Sequence, residues 1–483
     1  MSQSVKKLDQ LTVTRFIAAL SVMLFHGGRY IGILAYFPML TAGPVAVSYF
    51  YVLSGFVMAL AYYRPGTRFD FRSYGLARFS RIYPVYILAF VLTCIYYIDL
   101  MAKIKSDKVL ANVFLYQAWI PEFAESFNIA AWSLSVEVFF YVLFPFLLIF
   151  AMRRSVKGLI WASLGFWVFS QIVHSILKVR FMPESAAWLA YYPLFHLNSF
   201  LLGAAGGIWY VSNAPQLKVN QSANRFLLLL SLGVILLLLS LRELTTSFPT
   251  SFSLDNGLLA PFFLIIVLSL AFDTTRLAQG LSHPWLVLLG DASYALYILH
   301  IPFRWMMEKY LARFAIPYET MYLAYIPVSI AICILVFKYI EVPARDWLRK
   351  NSHMLLFIFL DVLLIYIMTR LSFVFRLGDE IVSYRRTQNF ALRTGLVIFF
   401  LSFLVFQFYK TSSWRSLAWA VLTGTAALTG LMYFAWIKGW VEGFPRPIIL
   451  MIAVFVYSSI YLSRFLVPFL QPSVRLNIKG NSG

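Results

Sequence analysis

Arg15 and His26 stand eleven residues apart inside one apolar run of the chain. At 100° per residue that spacing closes to within about 20° of whole turns. On a helix both side chains therefore face one way, about 16 Å apart along the axis. An ionisable group held in hydrocarbon costs at least a few kcal/mol, so each one is a candidate for function. Two more lie in other apolar runs, Glu137 in WSLSVE and His300 in DASYALYILH. With the first helix running outward, the fourth running inward and the ninth ending outward, His26, Glu137 and His300 are expected at one depth in the outer half of the membrane. A histidine and a carboxylate that meet in a low-dielectric cavity can serve as general base and orienter, removing the proton of a hydroxyl as it attacks a carbonyl. His26 is the expected base. The competing reading is that these polar groups only tie helices together by hydrogen bonds, and that Arg15 snorkels to the cytoplasmic interface. Arg78 and Arg81, at i and i+3 in the loop ending RFSRIYP, share a face if the loop is helical there. They could then hold the phosphates of a nucleotide-bearing donor, or they form an ordinary cluster of cytoplasmic charge. His174 and His196 have no acidic or motif partner around them and read as structural.

Long apolar elements must carry these groups. The chain of 483 residues is 61% hydrophobic and 12% charged, with a mean hydropathy of +0.77, so water is not its main solvent. Apolar runs recur at the length of about twenty residues that a helix needs to cross a hydrocarbon core. They fall near residues 11–29, 44–62, 84–101, 131–151, 157–176, 189–211, 226–241, 257–272, 285–303 and 321–340, and then near 355–375, 392–409, 416–437 and 447–470. The expected fold class is all-α, a polytopic transmembrane helix bundle. About ten helices fill a domain over residues 1–350, and about four more fill a C-terminal region over 351–483.

The formal charge is +20, yet its Lys and Arg sit in short loops between apolar runs. That placement fits cytoplasmic loops and anionic lipid, and excludes a nucleic-acid partner for want of a binding motif. The N-terminus is expected in the cytoplasm as part of a retained first span, which lacks a small-residue cleavage site. Arg376, Arg385, Arg386 and Arg393 would then lie outside, against the rule. Cys94 and Cys333 read as small buried hydrophobes, with no disulfide framework or zinc site.

R-x10-H at Arg15 and His26, YVLSGF at Tyr51–Phe56, RFSR at Arg78–Arg81, WSLSVE at Trp132–Glu137, SYALYILHIP at Ser293–Pro302 and EVPAR at Glu341–Arg345 follow one another in this order. As an ordered set over about residues 8 to 350 they resemble the acyltransferase 3 family of membrane O-acyltransferases. The resemblance implies a ten-helix acyltransferase in which His26 and Arg15 are essential, Glu137 supports the reaction and Arg78 with Arg81 handles the acyl donor. Ser54, Tyr297 and His300, within the matching motifs, are secondary candidates. The implied donor is acetyl-CoA or a close relative, with no metal. The implied acceptors are hydroxyls of lipopolysaccharide O-antigen, capsule, exopolysaccharide, peptidoglycan, glycolipids or antibiotics. The setting implied is the bacterial cytoplasmic (inner) membrane, with membrane lipids and a cell-surface glycan or lipid-linked saccharide as partners.

The tail resembles something else. LLFIFLDVLLIYIMTRLSFVFRLGD, FYKTSSWRSL and GFPRPIILMIAVFVYSSIYLSRFL look like the four-helix membrane anchor of bacterial nucleotide-sugar dehydratases and epimerases, on Asp361, Arg376, Trp414, Arg415 and the Pro445–Pro447 segment. In such enzymes a Rossmann domain would follow, and Gly480 and Gly483 sit where two glycines of its phosphate loop might, unless the tail is simply a disordered terminus. No dehydratase activity is expected, and the region would dock polysaccharide-assembly proteins. The rival readings of the whole chain are a flippase or transporter for lipid-linked glycans and a non-catalytic membrane scaffold.

Overall fold

The computed structural model describes residues 8–28, 31, 42–97, 106–181, 186–244, 253–314, 316–405, 413–443 and 446–470; Pro445 and the tail with Gly480 and Gly483 lie outside them. Among the described residues all regular structure is helical. Among the described residues ten helices are long and apolar enough to cross a membrane, or eleven if one bent pair counts as a single span. The protein is an all-α, multi-pass membrane bundle. The chain divides into two compact units, Met1–Asp346 and Trp347–Gly483.

The first unit is built from α1 (Thr12–Gly28), α2 (Gly43–Tyr62), α3 (Phe71–Tyr96), α4 (Trp132–Ala151), α5 (Val156–Phe181), α6 (Leu197–Asn213), α7 (Gln221–Leu244), α8 (Ala260–Phe272), α9 (Pro284–Asp291), α10 (Ser293–Leu311) and α11 (Tyr318–Val336). A helix that is apolar all round must be buried on several sides. α2, GPVAVSYFYVLSGFVMALAY, is such a helix, and it buries fourteen of its twenty residues. Its main neighbour is α6, and glycines set their approach. A Cβ added to Gly203 would lie 1.9 Å from Val52 O, and one on Gly55 would lie 2.2 Å from Phe200 O. Small residues of this kind let membrane helices touch backbone to backbone. α5 is the opposite case: only Ser170 and His174 are buried, and Trp161 and Val179 turn outward.

Three elements depart from the sequence expectation. The third span begins at Phe71, where the Asp70 side chain accepts from Ser73 N–H at 3.0 Å. Arg78 and Arg81 therefore lie within the spanning helix and not in a loop, because an N-cap starts the helix ahead of the charges. The expected span over 285–303 is the pair α9 and α10, bent by 53°. Ser293 Oγ donates to Gly290 O at 2.6 Å across that break, a side-chain bond that competes with the helical ladder. Gly290 also lets α9 press on the start of α1, since a Cβ there would lie 2.1 Å from Thr12 O. α8 has 13 residues, fewer than the roughly twenty of a full span. Past α11 the backbone runs through a π-helical turn, Phe337–Glu341, into α12 (Val342–Lys350).

The second unit holds α13 (Ser352–Leu377), α14 (Arg385–Val405), α15 (Trp414–Ile437) and α16 (Arg446–Leu470). Phe373, Phe399, Phe403, Leu428 and Val456 are among its buried side chains. Inside it Arg464 on α16 donates to both carboxylate oxygens of Asp361 on α13, at 2.9 and 2.6 Å. Asp361 is fully buried, so the two-pronged pairing is what makes its charge tolerable there.

Candidate functional site

α1 and α10 lie side by side and bring His26 to His300, with His26 Nδ1 3.0 Å from His300 Nε2. The surrounding acceptors fix which nitrogens carry hydrogen. His26 Nδ1 is 2.9 Å from Val22 O, and His300 Nδ1 is 2.7 Å from Tyr297 O. A carbonyl oxygen only accepts, so both Nδ1 atoms are protonated in the neutral rings. His300 Nε2 is then the acceptor for the His26 Nδ1–H, and His26 keeps its lone pair on Nε2. That is the tautomer a general base requires.

The pair is held by further side chains of α10, α11 and α4. Arg304, one turn beyond His300 on α10, donates from Nη1 to His26 O at 2.6 Å, and its Nε lies 3.7 Å from Glu308. From α11, Tyr322 donates to Met23 O at 2.7 Å, and Tyr325 donates to His300 O. Tyr297 shares a 2.6 Å hydrogen bond with Ser133 Oγ on α4. Asn128, just before α4, donates to Ile298 O at 2.8 Å.

Those last bonds give the depth of α4 against α10. His300 lies three residues beyond Tyr297 on α10, and Glu137 lies four residues beyond Ser133 on the opposed α4, so the two are about 10 Å apart along the bundle. Glu137 is not the neighbour of His26 that its depth in the sequence reading implied. The charges that act on it most strongly are Arg15, Arg81 and then Arg78. Residue counting put Glu137 and His300 at one level, whereas the bent α9–α10 pair and the packing of α4 put them in separate layers along the bundle. Its Oε2 accepts from Tyr141 at 3.5 Å, and Ser54 on α2 neighbours that tyrosine. Ser54 therefore belongs to the Glu137 layer, while Tyr297 belongs with His300.

Arg15 acts with Arg81 on Glu137 and Glu341, in the Glu137 layer. The structure keeps Arg15 and His26 on one helix with separate surroundings. Arg78 donates to Tyr62 Oη at 3.2 Å, and its guanidinium rests on the rings of Tyr62 and Tyr141 at 5.5 and 5.6 Å. Arg78 and Arg81 both act on Glu137 and Tyr141, and Arg81 acts on Glu341 as well. His174 and His196 are buried; His196 Nε2 is 2.9 Å from Ala190 O, away from the pair. Cys333 is buried and Cys94 half-buried, both as free thiols. Among the described residues no group of three or more His, Cys, Asp or Glu is placed to hold a metal ion.

Sequence reasoning gave no role to Arg304, Tyr322, Tyr325 or Glu341. Arg304 had a signal, a cation one helical turn after His300. Glu341 stood in the EVPAR motif, which assigned it no role of its own. The tyrosines had none, because their partners are backbone carbonyls of another helix.

The chain belongs to the acyltransferase family, whose domain model matches residues 8–338. It is 28% identical over 329 residues to Acyltransferase MdmB of Streptomyces mycarofaciens, covering 62% of this chain and 80% of that protein. It is 23% identical over 360 residues to O-acetyltransferase OatA of Staphylococcus aureus, covering 70% of this chain and 59% of that one. The alignment therefore spans less than two thirds of the second relative's length. No solved structure matches the chain. The protein is a membrane acyltransferase.

Proposed function

We propose that the protein is an O-acetyltransferase, or transfers a closely related acyl group, from acetyl-CoA to a hydroxyl of a cell-surface polysaccharide, lipopolysaccharide O-antigen or glycolipid. It works in the bacterial cytoplasmic membrane with its N-terminus in the cytoplasm. The observation that carries the reading is the His26–His300 pair, whose hydrogen bonds leave the lone pair of His26 on Nε2.

In this reading His26 Nε2 takes the proton of the acceptor hydroxyl as its oxygen forms a C–O bond to the thioester carbonyl carbon. The C–S bond then breaks, and the imidazolium returns the proton to the departing thiolate. His26 is neutral again, and the products are the ester and free coenzyme A. While His26 is charged, its Nδ1–H points at the bare Nε2 of His300, which holds the ring in place and spreads the charge. Arg304, bonded to His26 O, fixes the backbone at the same point. Arg78 is placed to meet the donor's phosphates, and Arg15 and Glu137 act in the layer inward of the histidines. The region over 351–483, anchor-like and bearing none of these residues, serves as a docking unit for polysaccharide-assembly proteins.

The test compares surface polysaccharide from cells carrying the wild-type chain or His26→Ala at matched membrane levels, by NMR before and after mild alkali. Loss of alkali-labile acyl signals only in the variant supports the reading and identifies the acceptor. Identical acyl content on every surface glycan would overturn it in favour of glycan translocation or scaffolding.

A further inference from the structure

A long cavity runs between α3 and α4, and neither histidine of the pair lines it. Its walls repeat at steps of three and one residues, from Phe71 to Tyr83 on α3 and from Val138 to Phe146 on α4, the spacing of a single helix face. From Phe71 to Tyr83 is about 18 Å of helix, and the cavity holds about 400 Å³. Space so long and narrow suits a chain, not a compact solute. The surface it offers is almost all apolar. Tyr74 donates to Tyr141 O at 2.8 Å and Tyr83 to Val113 O, and the Arg78 guanidinium is engaged by the rings of Tyr62 and Tyr141. Phe71, Phe79, Phe114, Val142 and Phe146 are exposed around it. On the flank of spanning helices such side chains meet hydrocarbon, so the cavity opens sideways to the bilayer.

Two residues shape the groove at some cost to the backbone. Near Tyr83 its wall is Leu115, buried and at φ +56°, a conformation glycine adopts freely and leucine does not. The turn is the kind that ends a helix on glycine, with Leu115 N–H donating to Asn112 O at 3.1 Å and Tyr116 N–H to Ala111 O at 2.9 Å. A leucine there gives up backbone ease for a side chain that walls the cavity. Gly75, inside α3, is the converse. No described atom lies within 4 Å of a Cβ added to it, so neither a turn nor a close approach calls for glycine, and its effect is to keep the groove open. The end where the rings of Phe71 and Phe146 stand 6.2 Å apart is basic. Residues 64–72 and 152–157, which lead to it from the two helices, carry Arg64, Arg68, Arg72, Arg153, Arg154 and Lys157 against Asp70 alone, and Asp70 caps α3. In the orientation proposed above, this end lies at the cytoplasmic leaflet, whose anionic lipids such clusters attract.

We infer that the α3–α4 groove is a binding site for an anionic phospholipid of the bilayer. One acyl chain lies in the groove from Phe71 toward Leu115, and the phosphate sits at the basic end among Arg72, Arg153 and Arg154. Such binding requires no acyl transfer, so it holds whatever group the enzyme moves.

The test is native mass spectrometry of the purified full chain titrated with phosphatidylglycerol or with phosphatidylcholine of identical chains. One phosphatidylglycerol is expected to bind the wild type about tenfold more tightly than phosphatidylcholine. Gly75→Leu, which fills the groove, should weaken both lipids by about tenfold, with Gly233→Leu as the control. Replacing Arg72, Arg153 and Arg154 together by Gln should bring the two lipids within about twofold of each other and leave phosphatidylcholine unchanged. Should Gly75→Leu lower the folded yield, Val142→Trp blocks the groove from the α4 wall and is read in the same way. Wild-type affinity in a folded, groove-filled variant would take the chain out of the groove, and equal binding of the two lipids to the wild type would take the phosphate away from the basic end. A polyprenyl phosphate that displaces phosphatidylglycerol and binds about tenfold more tightly would overturn the phospholipid in favour of a carrier lipid.

Discussion

His26 has two ring nitrogens in different surroundings, and the difference makes a prediction. Nδ1–H is committed to Val22 O and to His300 Nε2, so in the proposed reading the chemistry falls to Nε2. Replacing His300 by Phe removes the acceptor and frees the ring to rotate or change tautomer. kcat is then expected to fall about a hundredfold or more with KM nearly constant, the pattern of a lost transition-state arrangement. His300→Gln should retain part of the rate, because its amide oxygen can accept the same proton. Equal losses in the two variants, read by steady-state kinetics on purified protein, would show that His300 only packs. In the proposed reading His300 is a positioning residue for His26. The sequence placed both histidines near one depth, and the structure adds the hydrogen bond between them. Glu137, by contrast, has a different set of neighbours from the one its motif suggested, because a carboxylate's partner is set by helix stagger, and stagger is not encoded within either helix.

At the scale of elements, two contacts are decided by the smallest side chains. α2 and α6 meet with backbone against backbone at Gly203 and Val52. Gly203→Leu would drive a side chain into Val52 O, so the helices must separate. The expected result is a large loss of folded protein in detergent, followed as thermal aggregation, with Gly233→Leu on α7 as the control. Gly233 has open space at its Cβ position and should tolerate the change. In the second unit the Asp361–Arg464 pair gives a different test. Asp361→Leu alone leaves a buried guanidinium without its carboxylate and is expected to cost about 3–5 kcal/mol. Adding Arg464→Leu should recover much of that loss, because two apolar side chains need no partner. A double variant as unstable as the single one would assign the pair a role beyond mutual neutralisation.

For the molecule as a whole, every residue given a part in acyl transfer lies in Met1–Asp346, one of the two compact units. A chain ended after Lys350 is therefore expected to keep His26-dependent transfer from acetyl-CoA in membranes, within about threefold of the full chain when protein levels match. A complete loss with the truncated protein folded would place part of the reaction in the second unit. The same experiment in cells separates roles: loss of glycan acylation with retained transfer in isolated membranes points to docking through residues 351–483.

The amino-acid sequence by itself determined the solvent and the cast. Apolar runs of spanning length required a helical membrane bundle, since a backbone in hydrocarbon must satisfy its own hydrogen bonds, and the few ionisable residues inside those runs named His26, His300, Glu137 and Arg15. The tertiary structure alone decided who meets whom. A 53° bend between α9 and α10, an N-cap that starts α3 at Phe71 and a π-helical turn that aims Glu341 inward each shift a side chain along a helix axis or around it. Polar partners at hydrogen-bonding distance are chosen by shifts of that size, and hydrophobic periodicity, which is satisfied equally well by neighbouring registers, does not encode them.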